Sequence, residues 1–254
     1  MNSHLLNTFT LLLALVFTAC YTTTSTHSTV TESIEQAEDL TYPEHELDPF
    51  SSIRIMGNFK TTIQPSDRSH IMFKGDEDDI KNVLVSVEDE RLYVDRKPSA
   101  WPFRRAPRIE MVIETATDLT ELNLSGSNET HLRKAGKLKN LRLSGSTSVM
   151  LDELDTDSLS IRGSWSARVE GNGFADELDI RTSGASRIDF EHTRSIKASI
   201  RSSGSSRVIV HVDETLDVRS SGASRVLYGG SPDRIETSTS GSSSIRPLDQ
   251  ISRQ

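Results

Sequence analysis

The nonapeptides IRTSGASRI (from Ile180), IRSSGSSRV (from Ile200) and VRSSGASRV (from Val218) are near copies of one another. Aligned on the Ser before Gly, the chain holds seven such units. The others are LNLSGSNET from Leu122, LRLSGSTSV from Leu141, IRGSWSARV from Ile161 and TSTSGSSSI from Thr237. Their starting points differ by 19, 20, 19, 20, 18 and 19 residues. A fixed period held over seven copies marks a stack of identical supersecondary units.

The columns of this alignment carry the fold. Position one reads Leu122, Leu141, Ile161, Ile180, Ile200, Val218 and then Thr237; position nine reads Thr130, Val149, Val169, Ile188, Val208, Val226 and Ile245. Apolar residues recur two places beyond and two places before these, with polar residues between. Period two on both sides of the Ser-Gly step means short strands with one buried face. Hairpins would need turn chemistry at every strand end, whereas a small-residue corner and a longer return alternate here. A coil that passes over itself in parallel satisfies the pattern, with equal-rank side chains stacked about 4.8 Å apart. The expectation is an all-β chain: a parallel β-solenoid of about seven coils of roughly 19 residues over 119–250, preceded by a few N-terminal strands over 48–118.

The corner explains the Ser-Gly pair. Gly accepts positive φ and close backbone approach where the strand turns. The preceding column is Ser125, Ser144, Ser164, Ser183, Ser203, Ser221 and Ser240. Stacked hydroxyls can donate to one another and cap backbone groups, so these residues are read as a structural serine ladder. Catalytic serines are excluded by the lack of a GxSxG elbow and of a His recurring beside the corner. Trp165 stands in the glycine column and is expected to bulge and pack against the side of the core, an exposed stacking platform being the alternative.

The 29 basic and 37 acidic residues give a net charge of -8, the wrong sign for a general nucleic-acid partner. Hydrophobic content is only 34%, as a thin, elongated core would require. Residues 1–19 read as an export signal: a short apolar run, LLNTFTLLLALVFTA, ends in small residues before Cys20. Cys20 is the only cysteine, so an internal disulfide is impossible. Small residues directly before a lone Cys resemble the lipobox of bacterial lipoproteins. That resemblance implies a diacylated Cys20 as mature N-terminus, a membrane as partner and, with Tyr21 following, the outer membrane. Residues 20–47, rich in Thr, Ser and acids, cannot bury enough surface to offset ordering and read as a flexible tether.

Alternating runs around Ile53–Met56, Thr61–Gln64, Ile71–Lys74, Val83–Val87 and Leu92–Asp95 read as strands. Pro65-Ser66-Asp67 and Asp76–Asp79 mark turns or a short helical turn. The order of an F-x-x-I-x-I-x-G start, GDE, RLYVDRK and then serial LxLSGS and SSGSSRV motifs resembles a bacterial family, the putative auto-transporter adhesin, head GIN domain (DUF2807). The resemblance covers about residues 48–250. It implies export, often lipidation, and a right-handed β-solenoid; it supplies no catalytic residue.

Two columns are basic. One holds Arg142, Arg162, Arg181, Arg201 and Arg219; the other holds Arg168, Arg187, Arg207 and Arg225. Stacked like charges repel. Acids two places away (Glu121, Asp179, Asp217 and Glu236; Glu170 and Asp189) offer balanced ladders. The sharper reading is a polyanion-binding strip that grips carboxylates or sulfates of acidic glycans, for which the second column is the better candidate. WPFRR at Trp101–Arg105 reads as a loop capping the open end of the solenoid. The seven His residues show no metal-ligand spacing, and neither metal nor cofactor is expected. The function expected is a non-enzymatic, lipid-anchored envelope protein that binds glycan, envelope polymer or protein. The alternatives are a polysaccharide-active enzyme or a purely structural or regulatory envelope protein.

Overall fold

The computed structural model describes residues 45–97 and 108–248. The chain opens with β1 (His45–Glu46), β2 (Ser52–Gly57), β3 (Phe59–Pro65) and β4 (His70–Lys74). A single turn of helix, α1 (Glu77–Ile80), follows, capped by the Asp76 carboxylate accepting from the Asp78 N–H at 3.0 Å. Then come β5 (Val83–Glu88), β6 (Arg91–Arg96), β7 (Ile109–Thr115), β8 (Glu121–Gly126), β9 (Glu129–Leu132) and β10 (Asn140–Gly145). Four long strands succeed them: β11 (Ser148–Gly163), β12 (Arg168–Thr182), β13 (Arg187–Ser202) and β14 (Arg207–Ser220). The chain closes with β15 (Arg225–Gly229), β16 (Arg234–Thr239) and β17 (Ser244–Pro247).

The repeat is a parallel β-solenoid. Position one stacks as Leu122, Leu141, Ile161, Ile180, Ile200, Val218 and Thr237, each opposite the next in a parallel ladder. Position nine stacks the same way from Thr130 to Ile245. Each long strand is the second half of one coil, a bend, and the first half of the next. The register shift between Leu151 and Leu154 marks the first such bend. The aliphatic members of both columns are buried up to Val218 and Val226.

The stack extends beyond the seven aligned copies. Ile53, Ile55 and Gly57 of β2 lie opposite Leu122, Leu124 and Gly126, and Ile63 of β3 lies opposite Leu132. Further out, Leu92 and Val94 of β6 lie opposite Ile53 and Ile55, and Ile113 of β7 lies opposite Ile63. The chain thus lays down the second rung first, makes its end structure, adds the outermost rung, and then steps past to β8. Antiparallel β5 on β6 and β4 on β7 close that end, converting an open parallel edge into a paired one. WPFRR, expected to cap this end, lies outside the described residues. At the other end β16 and β17 form a last rung with polar Thr237 at position one, as a terminal repeat requires.

The corner sets the register. Gly126, Gly145, Gly184, Gly204, Gly222 and Gly241 all have positive φ, from 97° down to 70°. Each rung donates across the corner to the one before, as in Ser146 N–H to Gly126 O at 2.8 Å and Ser205 N–H to Gly184 O at 2.8 Å. A Cβ at Gly145 would sit 2.4 Å from the Gly126 carbonyl oxygen, and one at Gly204 would sit 2.6 Å from that of Gly184. Gly204→Ala therefore meets both the left-handed penalty and a backbone clash. It should lower unfolding free energy by at least about 1–2 kcal/mol, while exposed Ser205→Ala stays within about 0.5 kcal/mol; urea unfolding midpoints measure both.

Candidate functional site

Strand alternation places the position-two Arg and the position-four Ser on the same outward face, one residue apart across a buried third position. The third column is Leu124, Leu143, Gly163, Thr182, Ser202 and Ser220, so the inward face changes from leucine to small hydroxyl residues along the rod. The Thr182 hydroxyl donates to Ser202 Oγ at 3.2 Å inside it. Such rungs bury little hydrocarbon, which accounts for the low hydrophobic content.

Ser125, Ser144, Ser164, Ser183, Ser203, Ser221 and Ser240 occupy successive corners, half-buried or exposed. Their hydroxyls reach back to the previous rung, Ser164 to Leu143 O at 3.3 Å and Ser203 to Thr182 O at 3.4 Å. The buried hydroxyls lie three residues later. Ser186, Ser206 and Ser224 donate to the carbonyls of Ser183, Ser203 and Ser221 at 3.1, 3.1 and 3.0 Å. Asn128 Nδ2 does the same to Ser125 O at 2.6 Å. This second column is Asn128, Thr147, Ala167, Ser186, Ser206, Ser224 and Ser243, buried up to Ser224, and the turn back into the core at position seven reveals its role. Ser206→Ala should cost about 1 kcal/mol, whereas Ser203→Ala should be close to neutral, as chemical denaturation of the two variants would register.

The two basic columns differ in their partners. In the first, Arg142 pairs with Glu121, Arg181 with Asp179 at 3.2 Å and Arg219 with Asp217 at 3.6 Å. Arg162 and Arg201, whose same-strand neighbours two back are Ser160 and Ser199, have no ion pair among the described residues. Arg54 of β2 lies opposite Asn123 and heads the same column, also unpaired among the described residues. In the second, Arg168, Arg187, Arg207 and Arg225 lie opposite one another in unbroken register, and none has a carboxylate partner among the described residues. All but half-buried Arg207 are exposed. Glu170 and Asp189, two places on, form no ion pair with them.

An open groove of about 680 Å³ runs along the first column. Arg54, Arg91, Arg142, Arg162 and Arg181 line it together with Ser125, Ser144, Ser164 and Ser183. Among the described residues Glu121 is the single carboxylate in the lining, and it is bonded to Arg91 at 3.3 Å and to Arg142. A hydrogen bond with the Tyr93 side chain, and after it the charge of Glu121, outweigh burial and hold the Arg91 guanidinium above its ordinary range.

Trp165 does not pack as expected. It is 74% exposed at the corner, with φ 67°, in the column that glycine otherwise holds. A residue in left-handed backbone at a tight corner projects away from the coil, so the bulk that suggests a core plug ends in solvent. Each acid cluster has members that are already engaged. Asp152 bonds His131 and accepts from Asn172 Nδ2 at 2.9 Å, and Lys81 bridges Glu77 at 2.9 Å on α1. Among the described residues no group of three His, Cys, Asp or Glu side chains is arranged to hold a metal ion. Cys20 lies outside the described residues.

The molecule is thus a parallel β-solenoid displaying two arginine ladders on either side of a serine corner. The family described as putative auto-transporter adhesin, head GIN domain, matches residues 49–232, and the chain belongs to it. No curated protein matches the chain. Among solved structures it is similar to a putative adhesin from Bacteroides fragilis NCTC 9343, with TM-score 0.72 and 17% identity. It is also similar to a putative lipid binding protein from Parabacteroides distasonis ATCC 8503, with TM-score 0.62 and 20% identity. A third likeness, with TM-score 0.59 and 19% identity, is a putative adhesin from Parabacteroides merdae ATCC 43184. Each comparison covers 81% of this chain and 95% of the other. At these identities the likeness establishes the fold.

Proposed function

We propose that the protein is a non-enzymatic binding module of the cell envelope, lipid-anchored through Cys20, whose second arginine ladder engages an anionic envelope polymer or acidic glycan. The observation that carries this reading is the row Arg168, Arg187, Arg207 and Arg225: one guanidinium per rung without an ion pair among the described residues. Charges stacked about 4.8 Å apart repel. With no carboxylate among the described residues offsetting that repulsion, a row of external anions is the natural partner. Guanidinium forks match carboxylate and sulfate bidentately. The kinship with proteins described as adhesins supports a surface role.

The non-enzymatic reading rests on the acids. A glycoside hydrolase or lyase site wants carboxylates poised together over a groove, and among the described residues the groove holds Glu121 alone, occupied by two arginines. The triple variant Arg187→Ala/Arg207→Ala/Arg225→Ala removes no internal ion pair and should keep its stability. On immobilised heparin it should elute at clearly lower salt than the parent chain, because fewer counterions are displaced. Elution at the same salt would contradict the polyanion reading. For the anchor, the support is the small-residue run into Cys20 and the Thr- and Ser-rich sequence that follows it. Two or three acyl chains, at about 0.8 kcal/mol per buried methylene, hold a protein stably on a membrane. Radiolabelled palmitate should enter the parent chain and not Cys20→Ala; an unlabelled parent chain rules the anchor out.

A further inference from the structure

The groove on the other side of the corner is separate from the ladder just described. We propose that it is a binding site for a short linear oligosaccharide of carboxylated sugars, laid along the solenoid axis, with Trp165 at its rim as a stacking plate. The cation wall consists of Arg54, Arg142, Arg162 and Arg181, on rungs about 4.8 Å apart, with Arg91 beside them. Glu121 and Asp179 neutralise part of this wall by pairing with Arg91, Arg142 and Arg181. Among the described residues Arg54 and Arg162 have no carboxylate partner; they lie three rungs apart, or about 14 Å. Repeated anions at rung spacing fit that wall better than one compact anion.

Beside the guanidiniums on the same face run Ser125, Ser144, Ser164 and Ser183, a row of hydroxyls suited to the neutral hydroxyls of a sugar chain. Among the described residues no aromatic side chain lines the groove itself. Trp165 follows groove-lining Ser164 directly and is the large aromatic that the corner leaves exposed. Its left-handed backbone costs about 1–2 kcal/mol, and its exposure means that burial of the ring repays little of that. Its corner neighbours in the adjacent copies are Gly145, Ser146, Gly184 and Ala185, so small residues flank the indole along the ridge. An aromatic ring presented this way offers an apolar face to the C–H side of a pyranose, while the guanidiniums take the carboxylates.

The test is calorimetric titration of the full chain with tetragalacturonate, with maltotetraose as the uncharged comparison. The parent chain should bind the acidic tetramer and not the neutral one. Arg54→Ala/Arg162→Ala removes no internal ion pair and should weaken binding at least tenfold, with an unchanged thermal melt. Trp165→Gly restores the corner's preferred residue, so it should melt at or above the parent temperature and still bind more weakly. The triple variant of the other ladder should bind the tetramer as the parent does. An unchanged Kd in the Arg54/Arg162 variant, or no heat with the parent chain, overturns the proposal. So does binding to phosphatidylglycerol vesicles in place of the tetramer. Loss confined to the Arg187/Arg207/Arg225 variant overturns the groove and leaves the ladder reading standing.

Discussion

Everything in this molecule depends on a backbone contact at the corner: the carbonyl of one rung accepts the N–H of the next, with a left-handed residue between them. At 2.4–2.7 Å from a would-be Cβ to the preceding carbonyl, successive corners have no room to slide. The bond at each corner and the closeness of the approach together pin the register. Once it is pinned, equal-rank residues must lie over one another, and every other property of the rod is a column property. Apolar columns make the core, hydroxyl columns cap the corners, and charged columns make the two faces.

That constraint turns an ordinary surface residue into a ladder. One exposed arginine on a strand means little, but the same residue at every rung concentrates charge along a line. The fold compensates unevenly. Where the residue two places earlier is acidic, as at Asp179 and Asp217, the guanidinium is tied down on its own strand. Where it is serine, as before Arg162 and Arg201, no such tie forms among the described residues. The second ladder has no acid two places before it and no ion pair among the described residues, so it differs from the first in kind. A chain of net charge -8 therefore carries two local cationic lines separated by one corner.

The period, the parallel stacking and the identity of the buried columns were legible because period-two alternation and a constant repeat length leave few alternatives. The outermost rungs were not. β2 carries Met56 where the repeat has serine, and β6 and β7 are parted from it by the end structure, so sequence order and spatial order disagree there. The capping hydroxyls of Ser186, Ser206 and Ser224 were hidden because serine recurs at more than one rank of each of these copies, and the direction of the turn separates them. Trp165 misled for a physical reason: hydrophobicity argues for burial, but the backbone conformation demanded at that corner decides where the side chain points. The groove became visible only once Arg54 was placed at the head of the first ladder.

The most direct test of the stacked register is a cysteine pair at the corner, in a Cys20→Ser chain. Ala185 and Ser205 occupy the same rank on adjacent rungs, so their Cα atoms lie about 4.8 Å apart, inside the range a disulfide spans. Ala185→Cys/Ser205→Cys should cross-link completely under mild oxidation. Ala185→Cys/Ala223→Cys, two rungs apart at about 9.6 Å, should stay reduced. Cross-linking of the second pair and not the first would mean that equal ranks do not touch, and the ladders would not exist.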